Sequence, residues 1–272
     1  MIEFERMIYS DRPRFDKVLG LDTSFLVDKL VNFPKYRPFL INETVQLSKE
    51  YCVDQSFKEE FLIRSLYECP VLVHRLFFDD VFSFEQINLI LHTKMCSLAC
   101  YYFRKNIEDF DSLICKKKIP YSYNQEFFEN VDKIDELIEF GYTLDSLEYC
   151  LKYDQIALLQ AFLSDPFGSS TLHTQWSPFE WAQKPSHYDI LEFTGYFGSI
   201  RCFKSLLING YGLNEMVLSN IVCSGSIELY HLCSFPSVCH SKLVCLASEY
   251  CHYELLRFLI EKGGSINEQD NR

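Results

Sequence analysis

The sequence predicts an all-α fold, an α-solenoid in which short helix pairs stack on one another. Apolar residues recur at helical spacing along most of the 272-residue chain, and in the C-terminal half one pattern occurs five times. Hydrophobic residues make up 48% of the chain and aromatic residues 16%, which is enough to fill thin helical layers. With only 10 Gly and 9 Pro, the chain has little room for long flexible linkers.

Residues 1–120 are expected to form a helical N-terminal region, built of degenerate repeats or of helices that cap the array. The first apolar stripe is expected to end at Asn32-Phe33-Pro34, because proline stops a helix. A second helix is expected to start near Asn42, and Ser83 is placed to cap the start of a later one. The further helical segments expected here are 57–67, 71–78, 84–92, 98–103 and 107–114.

Residues 121–272 are expected to form the repeat array. In its clearest unit Gly198 stands at the turn between two helices, and Gly210 closes the second helix with a left-handed cap. The apolar residues between these glycines fall on one stripe of an α-helix; they are Ile200, Cys202, Phe203, Leu206 and Leu207. Further units have their turns at Glu129, Asp154, Gly225 and Cys251. Each unit also has an earlier helix, and such pairs bury their stripes only by stacking.

These units resemble ankyrin repeats. Residues 198–214 and 251–267 match that family's helix ending in paired large apolar residues, followed by glycine and, a few residues later, asparagine. The segment Ser177-Pro178-Phe179-Glu180-Trp181-Ala182 resembles the family's T-P-L-H-x-A helix opening. The turns at 129, 154, 198, 225 and 251 are separated by 25, 44, 27 and 26 residues, against 33 in the family. Most β-hairpin fingers are therefore expected to be missing.

The chain as a whole resembles the divergent ankyrin-repeat proteins that are greatly expanded in trichomonad protists. The resemblance is strongest over residues 125–272. Those proteins are mostly of unknown function, so the resemblance implies an architecture and a binding role without naming a partner. Regular repeats often follow in such proteins, and residues 267–272 resemble the start of a linker. The sequence is accordingly expected to be cut within the array at its C-terminal end.

Composition disfavours nucleic acid and membranes as partners. The net charge of −12 repels a phosphate backbone on average, and the single basic run, Lys116-Lys117-Lys118, is too short to reverse this. The N-terminus lacks a positive region followed by an apolar core, and no apolar run of about 18 residues occurs. A cytoplasmic, reducing location is therefore expected, with the 12 Cys as free thiols.

No residue is predicted to be catalytic, and no cofactor or small-molecule substrate is indicated. A zinc site could be suspected at Cys233, Cys239-His240, Cys245 and Cys251-His252, but the chain contains no C-x2-C pair, so no metal site is predicted. The acidic residues between Glu126 and Glu139 alternate with apolar ones, which is typical of a solvated helix face.

The function predicted from this pattern is a non-catalytic scaffold for protein–protein interaction that uses the concave surface of the solenoid. Its partner is expected to be a protein of unidentified kind. The residues predicted to contact that partner are Trp181, His187, Tyr196, Phe197, Tyr250 and His252. For each of them, packing between repeats is the competing interpretation. The alternative function is an N-terminal helical enzyme or targeting module that is carried by the repeats.

Overall fold

The computed structural model describes residues 22–93, 97–117, 126–129, 131–164, 174–182, 189–233 and 240–265. Over these ranges the protein is all-helical and contains no strand, which confirms the all-α class predicted from the apolar spacing. None of the helices within them is long and apolar enough to cross a membrane.

The chain divides into two compact units. The first comprises Met1–Gly141 and Ser177–Gln183, and the second comprises Tyr142–Trp176 and Lys184–Arg272. The division therefore lies later in the chain than the predicted one after residue 120, and the first unit includes the repeat that was expected to start at Glu129. A later segment, Ser177–Gln183, also belongs to the first unit.

The described part of the first unit is a set of short helices. In chain order these helices are α1 Thr23–Tyr36, α2 Ile41–Tyr51, α3 Gln55–Glu68, α4 Pro70–Phe78, α5 Phe84–Thr93, α6 Ser97–Tyr102, α7 Phe110–Lys116, α8 Glu126–Glu129 and α9 Ile134–Phe140. Helix α1 packs on α2 and α3, and α4 packs on α2, α3 and α6. Large side chains such as Phe33, Phe61 and Phe103 fill the interior between them.

The predicted end of the first helix at Asn32-Phe33-Pro34 is wrong, because α1 continues to Tyr36 with Pro34 inside it. A proline in the last turn removes one backbone hydrogen bond, and the cost falls where the helix is about to end. Burial of Phe33 and Pro34 in the interior offsets that cost. The next helix begins at Ile41, close to the predicted start near Asn42.

The predicted cap at Ser83 is confirmed and forms a reciprocal pair of hydrogen bonds. The Ser83 hydroxyl accepts from the Gln86 backbone N–H at 3.4 Å, and the Gln86 side-chain oxygen accepts from the Ser83 backbone N–H at 3.1 Å. This arrangement satisfies two backbone donors that a helix start leaves without partners.

Segment 177–182 does not open a helix, although its sequence resembles the helix opening of an ankyrin repeat. The Glu180 backbone N–H donates to the Ser177 carbonyl at 3.1 Å, and the Glu180 carboxylate accepts from the Ala182 N–H at 3.0 Å, so the segment is a turn. Its Phe179 ring is buried in the first unit against the rings of Tyr101, Tyr102 and Phe128. These aromatic contacts hold the segment in a non-helical conformation.

The second unit consists of helix pairs. Its helices are α10 Leu147–Lys152, α11 Ile156–Ser164, α12 Ile190–Phe197, α13 Ile200–Ile208, α14 Glu215–Ser224, α15 Ile227–Leu232, α16 His240–Glu249 and α17 Tyr253–Glu261. The first helices pack side by side in chain order, α10 on α12, α12 on α14 and α14 on α16. The second helices α11, α13 and α15 pack in the same order.

The turn between the two helices of each pair contains a residue in the left-handed region. These residues are Asp154, Gly198, Gly225 and Cys251, with φ of 54°, 71°, 75° and 59°. Gly210 and Gly263, which were predicted to close second helices with left-handed caps, have φ of 88° and 97°, so that prediction is confirmed.

The residue after the left-handed turn binds the end of the first helix in the preceding pair. The Ser199 hydroxyl donates to the carbonyls of Leu151 and Lys152 at the end of α10. Likewise, the His252 Nε2 donates to the Cys223 carbonyl at the end of α14, at 2.7 Å. The last carbonyls of a helix have no partner within the helix. These hydrogen bonds supply such a partner and also join neighbouring pairs.

Asp154 supplies a second link, toward the pair that follows it. Its carboxylate accepts from the backbone N–H groups of Arg201 and Cys202 at 3.2 and 2.8 Å, at the start of α13, and from the Arg201 guanidinium at 3.0 Å. Burial on its own would raise the pKa of Asp154, but these hydrogen bonds lower it below its usual value. The stacking order is thus fixed by specific polar contacts as well as by apolar burial.

Candidate functional site

Trp181, predicted as a partner contact, lies in the first unit and is only 9% exposed. Its indole N–H donates to the Pro38 carbonyl at 2.9 Å, and the Arg75 guanidinium lies 5.9 Å from the ring centroid. The ring therefore anchors segment 177–182 on the first unit and offers almost no surface to a partner.

Tyr196, Phe197 and Tyr250 lie together in the second unit, and all three are buried. The rings of Tyr196 and Tyr250 meet edge to face at 6.3 Å, and their hydroxyls are hydrogen-bonded. Tyr250 is also hydrogen-bonded to the Cys223 thiol. Burial raises the pKa of Tyr250 well above its usual value. In the free chain these three aromatic side chains therefore pack inside the second unit, as the competing interpretation describes.

His252 is half-buried, and its ring lies against the backbone of Gly225 in the preceding pair. With its bond to the Cys223 carbonyl, it acts as a link between pairs. His187 lies outside the described residues. Trp181 belongs to the first unit, whereas Tyr196, Phe197, Tyr250 and His252 belong to the second.

Trp176 is a residue that the sequence interpretation missed. Its ring stacks on Phe197 at 5.9 Å and 17°, and meets Phe193 and Tyr196 edge to face at 5.9 and 5.8 Å. It thus covers two of the aromatics that were predicted to face a partner. The signal in the sequence was a large aromatic within the 44-residue step between turns, where the chain exceeds the repeat length.

Lys152 is a second missed residue, because a lysine is rarely fully buried. Its side chain is nearly inaccessible, and its ammonium lies 5.1 Å from the Tyr153 ring centroid, 5.7 Å from Phe197 and 5.9 Å from Tyr142. Aromatic faces attract a cation electrostatically, so this cluster accommodates the charge inside the second unit. Lys152 stands two residues before its turn, where the next pair has Tyr196.

The first helices of the second unit begin along one edge, which we call the loop edge. Ser199, which follows the end of α12, contacts the end of α10, so these two first helices end on the same side of the unit. Their starts therefore lie on the opposite side. There the Asn214 amide donates to the Glu192 carboxylate at 3.0 Å, joining the starts of α12 and α14. Three apolar side chains on this edge are exposed by 36–44%, namely Leu144, Leu213 and Met216.

The loop edge also carries exposed acidic side chains, Asp145, Asp189 and Glu215. A mixture of exposed apolar groups and charges of one sign is typical of a protein-binding surface. Among the described residues, no group of three or more His, Cys, Asp or Glu is arranged to hold a metal ion.

The described cysteines are free, and most are buried. Burial raises the pKa of the Cys52, Cys69 and Cys223 thiols to about 12 and that of Cys233 to about 11. The thiolate is the reactive form of cysteine, so these four side chains are poor nucleophiles at neutral pH. They act as small apolar core residues.

Thiol labelling tests whether the exposed and the buried cysteines differ in reactivity. We expect Cys115, which is exposed, to react with a disulfide reagent at pH 8 before the buried thiols, which should react only after unfolding in urea. Cys115→Ser should remove one thiol equivalent from the fast phase, whereas Cys69→Ser should leave the fast phase unchanged. Fast labelling that is insensitive to Cys115→Ser would contradict the assignment.

Comparison with known proteins gives no relative: no protein-family model, no curated protein and no solved structure matches this chain.

Proposed function

We propose that the chain is a non-catalytic scaffold that binds another protein with the first helices and the loop edge of its second unit. The observation that carries the proposal is the ordered stacking of helix pairs, first helix on first helix and second on second. Such stacks form α-solenoids with an extended concave binding surface. In ankyrin repeats, which these pairs resemble, the first helices line that surface. We also propose that the pairs are ankyrin-like repeats and that the chain is related to the trichomonad proteins that it resembles.

The links between pairs support a rigid binding surface. Ser199 and His252 bind the ends of first helices in the preceding pair, and Asp154 binds the start of α13 in the following pair. Binding to a rigid surface avoids the entropy cost of ordering it. A cytoplasmic location is part of the proposal, and the buried free thiols with raised pKa values are compatible with a reducing compartment.

Substitutions on the loop edge test the proposal. Leu213→Glu combined with Met216→Glu is expected to lower the recovery of a cross-linked protein partner by about tenfold or more, since two apolar contacts are replaced by charges. Tyr253→Glu is the matched control, because Tyr253 is exposed to a similar degree but begins a second helix.

The measurement is quantitative mass spectrometry of partners captured by the tagged full chain. Each variant must first show the same helical circular dichroism and the same melting temperature as the wild type. Equal recovery of every partner by the folded loop-edge variant and by Tyr253→Glu would refute the use of this edge.

A further inference from the structure

Three consecutive residues of the second unit, segment 174–176, cover the junction of α10 and α12. Trp176 stacks on Phe197 and contacts Phe193 and Tyr196 edge to face, at centroid distances of 5.8–5.9 Å. The neighbouring Gln175 backbone N–H donates to the Glu148 carboxylate of α10 at 2.7 Å. The segment belongs to neither helix and has no regular secondary structure.

The surface below this segment has a defined chemistry. Phe193, Tyr196 and Phe197 form an aromatic floor on α12, and each is at most 6% exposed with Trp176 in place. Glu148 forms one wall, and burial raises the pKa of its carboxyl group. Glu148 is half-buried and accepts a hydrogen bond from the Gln175 backbone N–H, so an occupant that offers a hydrogen-bond donor as well as a ring reproduces both contacts of segment 174–176.

We infer that the surface formed by Glu148, Phe193, Tyr196 and Phe197 is a binding groove for an extended segment of a partner protein that carries a tryptophan or similar aromatic side chain. In the free chain segment 174–176 occupies this groove, and the partner segment replaces it. The inference rests on the proposed scaffold function and specifies the chemistry of its partner.

Two observations favour a replaceable occupant over an ordinary core element. Trp176 is only half-buried, whereas the three rings on which it lies are buried, so it is the outermost layer of the cluster. The groove is also formed by residues of the first helices α10 and α12, which belong to the set of helices that the proposed scaffold uses to bind its partner. An occupant in the same chain acts at high effective concentration, and it therefore weakens the binding of any competing segment.

A peptide added in trans tests the inference on the full chain. The probe is a fluorescein-labelled peptide with the sequence of residues 171–178, and the control peptide has alanine in place of tryptophan. We expect Trp176→Ala to bind the tryptophan peptide at least about tenfold more tightly than the wild type does, because the groove is vacated. Neither protein should bind the control peptide measurably.

Trp181→Ala is the matched control variant, since it removes the other tryptophan of the chain, which lies in the first unit. It should bind the peptide no better than the wild type. Equal binding by the wild type and a folded Trp176→Ala variant, or no binding by either, would overturn the inference. If Trp176→Ala fails to fold, Trp176→Leu replaces it; if both fail to fold, Trp176 is a core residue and the inference is wrong.

The outcome is separable from that of the scaffold proposal. Loss of partner recovery in the loop-edge variant, together with no peptide binding by Trp176→Ala, would keep the scaffold function and reject the groove. Peptide binding by Trp176→Ala without any effect of the loop-edge substitutions would keep the groove and move the partner away from Leu213 and Met216.

Discussion

Replacing Gly225 by alanine is expected to lower the free energy of unfolding of the second unit by about 3 kcal/mol or more. Gly225 has φ of 75°, a region in which an L-residue with a side chain is strained by about 1–2 kcal/mol. A Cβ at this position would also overlap the ring of His252, whose Cγ would lie only 2.6 Å away. The ring would have to move, which breaks its bond to the Cys223 carbonyl.

Gly210→Ala is the matched control, because Gly210 has φ of 88° and nothing lies within 4 Å of a Cβ placed there. Its expected cost is the backbone strain alone, about 1–2 kcal/mol. Urea unfolding followed through Trp176 emission, with Trp181→Phe as the common background, compares the two variants within the second unit.

A double substitution separates strain from collision. In a His252→Ala background, Gly225→Ala should cost no more than Gly210→Ala, since the ring that it would strike is gone. If Gly225→Ala costs the same as Gly210→Ala in the wild type as well, the His252 ring does not hold the place between the two pairs that the structure gives it.

The helix pairs could be predicted from the sequence because their signals are local. The apolar stripe that follows Gly198 and the glycine at 210 depend only on helical spacing and on the left-handed cap, and both appear in the structure. Even the non-glycine turn residues Asp154 and Cys251 were located by this spacing, although each has to adopt a positive φ. The spacing of residues in the sequence is sufficient to predict a helix or a turn when that element is determined by its own residues.

The candidate site could not be predicted in the same way, because it depends on contacts between residues far apart in the chain. Segment 177–182 resembles a helix opening, but burial of Phe179 against Tyr101 and Tyr102 holds it as a turn. The exposure of Tyr196 and Phe197 depends on Trp176, about 20 residues before them, which no periodicity connects to them. An aromatic residue near a turn can lie on the surface or in the interior, and the sequence does not distinguish the two unless the residues that pack over it are known.

Lowering the pH from 7.5 to 4.5 is expected to destabilise the first unit by about 2.5 kcal/mol through His74 alone. The His74 ring lies edge to face with Phe78 at 4.9 Å, Tyr102 at 5.5 Å and Phe103 at 5.7 Å. Burial, followed by the positive charge of Arg75, lowers the pKa of His74 from 6.5 to about 4. The folded protein therefore keeps this imidazole neutral where the unfolded chain has already protonated it.

The sign follows from proton binding. Between pH 6.5 and about 4 the unfolded chain binds one more proton than the folded protein, so stability falls as the pH falls through this window. At pH 7.5, one unit above the ordinary pKa of 6.5, both states are almost wholly neutral at this position and the stability contributed by the neutral ring is present nearly in full. Arg104, Lys105 and Asp135 also act on His74, but the pKa of Asp135 is lowered below 3.8, so its own titration lies under the window.

His74→Phe removes the titrating group and keeps an aromatic ring among the three others. Urea unfolding of the first unit, followed through Trp181 with Trp176→Phe as the common background, should show the wild type losing about 2.5 kcal/mol more than the variant between pH 7.5 and pH 4.5. His92→Phe is the matched control, since the His92 side chain is exposed and should leave the pH response unchanged. Parallel loss of stability in the wild type and His74→Phe would mean that carboxylates, and not this histidine, set the acid sensitivity of the first unit, because only the histidine is absent from the variant.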